Sequence, residues 1–233
     1  CITSMQILVQ LLNIKQNLIP ESKYPLKSPY ELKAKYITIH NTGEDRTAAW
    51  EIQNLADNQK QISFHFAVDN NDVVQGLPLN RNGFHAGDGP RSGNRESIAI
   101  EICFSKSGGP RYYAAENKAI LLTVYLMMKF NIPIENVKQH FDWSGKNCPE
   151  RIREEKRWDW FLDEVLKTYQ AFSLQQQINT AIKQQKRSYS NIIVVVGVTF
   201  LIVILIQIAI QLLQKKKTVN QIQKEETALL YTE

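Results

Sequence analysis

The 233-residue sequence predicts an α/β domain, a mixed central β-sheet flanked by helices, followed by a linker and a C-terminal transmembrane helix. Three observations predict it. Short runs with period-two alternation, KYITIH (35–40) and SIAIEICF (97–104), mark strands. Longer runs of helical periodicity lie among them without strict β-α-β alternation, which points to a mixed sheet with helices packed on it. Residues 192–213 carry no charge, and about 20 apolar residues are enough to cross a bilayer core.

Each element has its own local warrant. In KYITIH, Tyr36, Thr38 and His40 alternate against Ile37 and Ile39, leaving His40 at the strand end. TAAWEIQNLADNQK (47–60) shows helical periodicity after Thr47, a residue suited to the N-cap. SFHFAVD and DVVQGLP flank Asn70-Asn71-Asp72, a hairpin signal, and RNGFHAGDGPRSGNRE (81–96) is predicted to be loop. In SIAIEICF, Ile98, Ile100, Ile102 and Phe104 alternate against Ala99, Glu101 and Cys103. A helix is predicted from Tyr113 to Phe130 and another from Trp158 to Tyr169. Between them QHFDWSGKNCPE (139–150) carries Ser-Gly and Cys-Pro steps, which favour a turn over a helix or strand. The folded domain is expected over 20–170, behind an N-terminal segment 1–19.

Charge narrows the classes of partner. The net charge of +5 looks mildly basic, but before residue 171 there are 21 Lys+Arg against 20 Asp+Glu, and after it 7 against 3. The excess sits in the tail. A nucleic-acid footprint needs basic residues clustered on a folded face, so no nucleic-acid partner is expected. Cys1, Cys103 and Cys148 are odd in number and widely spaced, which gives no disulfide framework and favours a metal or a buried thiol. A chain opening on Cys either begins inside its reading frame, with Met5 the start, or carries lipid on a processed first residue. The stretch MQILVQLLNIKQNLIP has neither a basic n-region nor a small-residue cleavage site, so it is a poor secretory signal.

The span at 192–213 has Lys183, Lys186 and Arg187 on one side and Lys215, Lys216 and Lys217 on the other, as membrane helices often do. It predicts a single-pass membrane protein. Gln207, Gln211 and Gln214 share a helix face and offer hydrogen bonds for self-association through the span, although Gln near an interface is an equal reading. Residues 171–191 form a Gln-rich linker and 214–233 a short polar tail.

For chemistry, His140 and Cys148 stand eight residues apart across a Gly-containing turn, and His40 ends a strand. Imidazole and thiolate suit zinc, whose catalytic sites use three protein ligands and keep one open position. On spacing alone His40 is as readily a hydrogen-bonded strand-end histidine, and Cys148 a buried thiol.

Five stretches in fixed order carry a resemblance: YITIHNT, SFHFAVD, LPLNRNGFHAGDG, NRESIAIEIC and HFDWSGKNCP. From about Lys35 to Arg151 the chain resembles the zinc-dependent N-acetylmuramoyl-L-alanine amidases of the phage endolysin and peptidoglycan recognition protein superfamily. The resemblance implies one Zn2+ held by His40, His140 and Cys148. It assigns catalysis to Glu101 and Lys146: a carboxylate to take the proton of a metal-activated water, and a cation where the oxyanion develops. His85 and Phe84, in the Gly-rich loop, are expected to contact substrate, with Phe84 where the family has Trp. His65 and Phe64 are placed beside them, His65 as a supporting or core residue. Many relatives have Trp or Tyr at the position of Phe64, and a Tyr there assists catalysis in some. A Phe cannot, which shifts the burden to Glu101.

The expectation is therefore a membrane-tethered zinc amidase acting on peptidoglycan, with its catalytic domain on the cell-wall side. The alternative is a non-catalytic peptidoglycan-binding module on the same tether. Recognition proteins of that kind typically lack the ligand cysteine, so Cys148 argues against it. A closed structural zinc site would need a fourth ligand, for which Asp142 is the nearby candidate.

Overall fold

The computed structural model describes the backbone of residues 3–229, and side chains for residues 3–205 and for Gln207. Expectations resting on Cys1, on the side chains of Gln211 and Gln214, and on the tail side chains lie outside the described residues. The chain divides into two compact units, Cys1–Gln177 and Ile178–Glu233.

The first unit is built on a six-stranded sheet: β1 (Lys15–Gln16), β2 (Tyr36–Asn41), β3 (Phe66–Val68), β4 (Val73–Gln75), β5 (Ser97–Ile102) and β6 (Val137–Gln139). Its order is β1-β4-β3-β5-β2-β6. Only the β3–β4 hairpin is antiparallel; the other neighbours run parallel, so the sheet is mixed as expected. Both faces are covered, and accordingly β2 and β5 are buried along almost their whole length instead of alternating with solvent.

Helix α3 (Ala48–Asp57) begins where predicted, with Thr47 Oγ1 accepting from Trp50 N, and packs Ile52 and Leu55 against β3 and β4. The long helix α5 (Gly109–Phe130) packs on β3 and β5. It starts four residues before the predicted Tyr113. Gly108-Gly109-Pro110 looks like a turn in sequence, but proline is well accommodated in a first helical turn because its missing N–H has no intrahelical partner there.

The N-terminal segment packs within the first unit. Helix α1 (Ser4–Leu12) is held by a capping box, Gln6 N to Thr3 Oγ1 at 3.2 Å and Thr3 N to Gln6 Oε1 at 2.8 Å. It buries Leu8 and Leu12 and packs on α5. Strand β1 then extends the sheet edge beside β4, and the four-residue α2 (Tyr24–Lys27) leads into β2.

Three short helices interrupt segments expected to be irregular: α4 (Ser92–Arg95), α6 (Phe141–Ser144) and α7 (Glu150–Glu154). Helix α8 (Trp158–Leu229) opens with Phe161 and Val165 buried in the first unit. The Gln-rich stretch 171–191 is helical. In the second unit, the apolar part of the helix has an 18-residue window of mean hydropathy 2.3 with none of it buried, long and apolar enough to cross a membrane.

Candidate metal centre and its cleft

Three parallel strands carry this site at their carboxyl ends, where open α/β sheets characteristically bind ligands. Strand β2 lies between β5 and β6. His40 is in register with Glu101 across the β2–β5 pair. Ile39 pairs with Gln139 of β6, so His140, the next residue, emerges beside His40. Cys148 arrives from the loop beyond. The single helical turn α6 ends at Gly145, whose φ of 74° is left-handed and suits glycine, and its N–H donates to Phe141 O at 2.8 Å. Phe141 N in turn donates to Cys148 O at 3.0 Å, folding the loop back on itself. The predicted turn is therefore a helical turn plus a return.

The result is a compact donor set. His40, His140 and Cys148 are all buried, and their ligand atoms lie within 4.8 Å of one another. Cys148 Sγ is 3.7 Å from His40 Nδ1, and His40 Nε2 is 3.1 Å from His85 Nδ1. His140 Nδ1 is buried without a hydrogen-bond partner. Glu101 Oε1 is 3.9 Å from His40 Nδ1, while Oε2 is buried and unpartnered. His85 Nε2 is likewise buried and unpartnered; buried polar atoms are normally satisfied, so three such atoms around one donor cluster fit a centre that binds a cation. Two imidazoles and one thiol fit zinc, and three protein ligands are the number that leaves a position open. Asp142 does not belong to the cluster; its carboxylate accepts from Gln139 N at 2.9 Å.

Electrostatics agree with that reading. Burial, reinforced by His85 and His140, holds the His40 imidazole well below its usual pKa. Burial and then Lys146 bring His140 to about 4. Both rings are thus neutral and able to offer lone pairs at neutral pH. Burial and then Glu101 push the Cys148 thiol up to about 12, so it stays protonated unless a cation replaces the proton. Burial and then Glu51 push Glu101 up to about 8.

A cleft of about 800 Å³ opens over the cluster and is lined by His40, Glu101, His140, Lys146, Cys148, Phe64, Phe84 and His85 among others. Eight of the nine residues singled out in the sequence therefore meet there. The ninth, His65, does not reach the cleft as a substrate contact. It is wholly buried, its Nδ1 accepting from Ala99 N at 3.0 Å and its Nε2 lying 2.8 Å from Arg81 O. It locks β5 to the loop before Phe84 from the bend just ahead of β3, where its N–H also donates to Ala99 O at 3.2 Å.

The sequence reading missed the residues that shape the loop between Phe84 and β5. Asn94 Oδ1 accepts from both His85 N and Ala86 N at 2.8 Å, and its Nδ2 donates to Gly89 O at 3.0 Å. Asp88 accepts from Gly93 N and Asn94 N, which is what nucleates α4 inside the predicted loop. Glu51 was also missed. It lines the cleft from α3, and burial, then Glu44, push its carboxyl up to about 7.

Residues 30–151 match the family model described as N-acetylmuramoyl-L-alanine amidase. Among characterised proteins, the N-acetylmuramoyl-L-alanine amidase XlyB of Bacillus subtilis (strain 168) is 54% identical over 147 residues, covering 63% of this chain and 46% of XlyB. The amidase CwlA of the same strain is 51% identical over 148 residues, covering 63% and 54%. The chain thus spans about half the length of the curated relatives it matches. Among solved structures, PlyL is 51% identical with a TM-score of 0.65, covering 65% of this chain and 96% of that one.

Proposed function

This chain belongs to the N-acetylmuramoyl-L-alanine amidase family, and from that premise we propose that it hydrolyses, with zinc, the amide between N-acetylmuramic acid and L-alanine in peptidoglycan. The observation that carries the proposal is the convergence of His40, His140 and Cys148 within 4.8 Å at the base of a cleft that also holds Glu101 and Lys146.

His40, His140 and Cys148 would hold the metal, which supplies Lewis acidity: it polarises a carbonyl and makes water acidic enough to attack near neutral pH. Glu101 supplies the base: burial pushes its carboxyl up to about 8, and the positive charge of a cation held by the neighbouring His40, His140 and Cys148 would bring it back down and leave it ionised. Its buried, unpartnered Oε2 has no competing donor, so it is free to take a proton from the attacking water and pass it to the departing amine. Lys146, exposed on the loop between two of the ligands and lining the cleft, brings a positive charge to the carbonyl oxygen as it becomes an oxyanion. His85 steadies the His40 ring through its Nδ1 contact. Phe64 and Phe84 form apolar walls that exclude water and pack against substrate. Cys148 favours this over a purely binding role, since recognition needs a cleft but not a thiol as a third metal donor.

The test is incubation of the zinc-loaded protein with purified sacculi. New N-terminal L-alanine is expected; its absence with zinc bound would leave the binding module as the better reading.

The second unit supports a single-pass tether. Three basic residues precede the span and Lys215, Lys216, Lys217 and Lys224 follow it, an excess that favours a cytoplasmic tail and a catalytic domain facing the wall. Protease added to intact cells is expected to digest the domain, and protection would reverse the orientation.

A further inference from the structure

The cation with the least exposed surface among the described residues of the first unit lies outside the metal cluster. Lys27, at the end of α2, has none of its surface exposed. Its Nζ donates to Asn58 Oδ1 at 2.8 Å, to Lys60 O at 2.5 Å and to Ile62 O at 3.2 Å. Three acceptors match the three N–H donors of an ammonium group. No carboxylate pairs with it among the described residues. A buried lysine without an acid is costly and is unexpected as a packing device alone.

Its position shows what it holds. Asn58, Lys60, Gln61 and Ile62 line one lip of the cleft, so the ammonium sits behind that lip while its front faces the substrate space. Asn58 Oδ1 also accepts from Lys60 N at 3.0 Å, which closes the lip backbone around the same centre. The backbone of the α2 turn reaches both walls. Ser63 Oγ donates to Lys27 O at 2.5 Å and accepts from Phe84 N at 2.9 Å, and Ser28 Oγ donates to Asn82 O at 2.6 Å. Ser63 and Phe84 also exchange a backbone bond, Ser63 N to Phe84 O at 3.0 Å. One short turn thus braces the segment leading to Phe64 and the segment bearing Phe84.

We propose that Lys27 is a positioning residue for substrate recognition, its buried ammonium fixing the 58–62 lip so that the cleft is preformed before substrate arrives. The inference rests on the amidase reading for its substrate, but not for its structural content. A preformed lip lowers the ordering cost of binding and leaves the chemistry at Glu101 untouched. Its loss therefore falls on KM more than on kcat.

The experiment uses the full chain in detergent, zinc-loaded, with Lys27→Met, an unbranched apolar replacement of similar length. Hydrogen exchange is measured across 58–62, with zinc content, Tm, and kcat and KM on a soluble muropeptide. Amides of the lip are expected to exchange about ten- to a hundredfold faster, the change worth one charge-assisted hydrogen bond. KM is expected to rise about tenfold with kcat changed less than about threefold and zinc retained. Unchanged lip exchange overturns the proposal, as does a fall in kcat with KM constant, or a loss of activity that merely follows loss of folded protein. If Lys27→Met does not fold, Asn58→Ala removes one of the three acceptors and must raise exchange of the Gln61 and Ile62 amides, the Lys60 amide being left out because it loses its own bond to Asn58 Oδ1; unchanged exchange at 61–62 overturns the proposal. If the wild-type chain cleaves nothing, the amidase reading fails while the exchange arm still decides the role of Lys27 in the lip.

Discussion

Replacing Asn94 by alanine should damage the site without touching a metal ligand. The Asn94 side chain is 5% exposed and its Oδ1 is the shared acceptor for the amides of His85 and Ala86. Alanine leaves both N–H groups buried and unpaired, each costing about 1–3 kcal/mol, so a total of about 3 kcal/mol is expected where the loop relaxes only in part. For a unit of this size each kcal/mol lowers Tm by roughly 2–4 °C, giving a fall of roughly 6–12 °C. The same loop also serves the ligands: His85 contacts His40, and the Ala86 backbone favours the charged form of the His140 ring against the larger effect of burial. Changes to groups that orient metal ligands typically weaken metal affinity about 10–100-fold. Thermal unfolding followed by circular dichroism gives the first quantity, and zinc competition with a chromophoric chelator gives the second. A Tm within about 2 °C of wild type, together with zinc affinity within about twofold, would refute the claim that Asn94 templates the loop.

Other outcomes follow from the same geometry. Cys148→Ser should abolish zinc retention and cleavage together, whereas Lys146→Ala should keep the metal and lose about 10²–10³ in rate; metal content by mass spectrometry separates the two, and full activity of both variants would remove the loop from the mechanism. His65 should make the fold acid-sensitive. Burial lowers its pKa from 6.5 to about 4, so the unfolded chain binds the extra proton between those values. Its contribution is whole above about pH 6.5 and is lost as pH falls through 4, at most about 3 kcal/mol. Protonation would also turn the Nδ1 acceptor toward Ala99 N into a donor. Urea midpoints between pH 7 and pH 4.5 should therefore fall less steeply for His65→Gln than for wild type, and parallel slopes would refute the assignment.

Strands and long helices were legible because apolar periodicity encodes them directly. KYITIH and SIAIEICF became β2 and β5, and Thr47 does cap α3. The reactive residues were legible as types in order, His40, Glu101, His140, Lys146 and Cys148, but not as a cluster, since nothing in spacing alone brings residue 40 beside residue 148. What was hidden depends on side chains bonding to backbone. Asp88 makes a helix of Ser92–Arg95 by accepting two amides, and no hydrophobic pattern announces that. His65, expected beside the substrate residues as a supporting or core residue, is a core residue whose two ring nitrogens are used up by Ala99 and Arg81. The attachment of α1 was hidden because a capping box and two buried leucines are modest signals in a short segment.

The register of the sheet is what makes the site single-valued. In the observed pairing His40 stands opposite Glu101, and the alternation of β5 puts Ile100 and Ile102 on the other face. A slip of one residue would bring an isoleucine beside His40 and bury Glu101 against apolar side chains, at a cost no metal site could offset. Two contacts oppose that slip besides the isoleucines: Thr38 Oγ1 meets Ser97 Oγ at 2.5 Å, and Trp143 Nε1 donates to Thr38 Oγ1 at 2.9 Å. The second comes from α6, on the same loop that returns Cys148. One threonine therefore couples β2 to β5 and to the ligand-bearing loop, so the pairing that buries the core is also the pairing that gathers the donors. That coupling explains how His40 and Cys148, 108 residues apart in sequence, come to lie with His140 within 4.8 Å of one another.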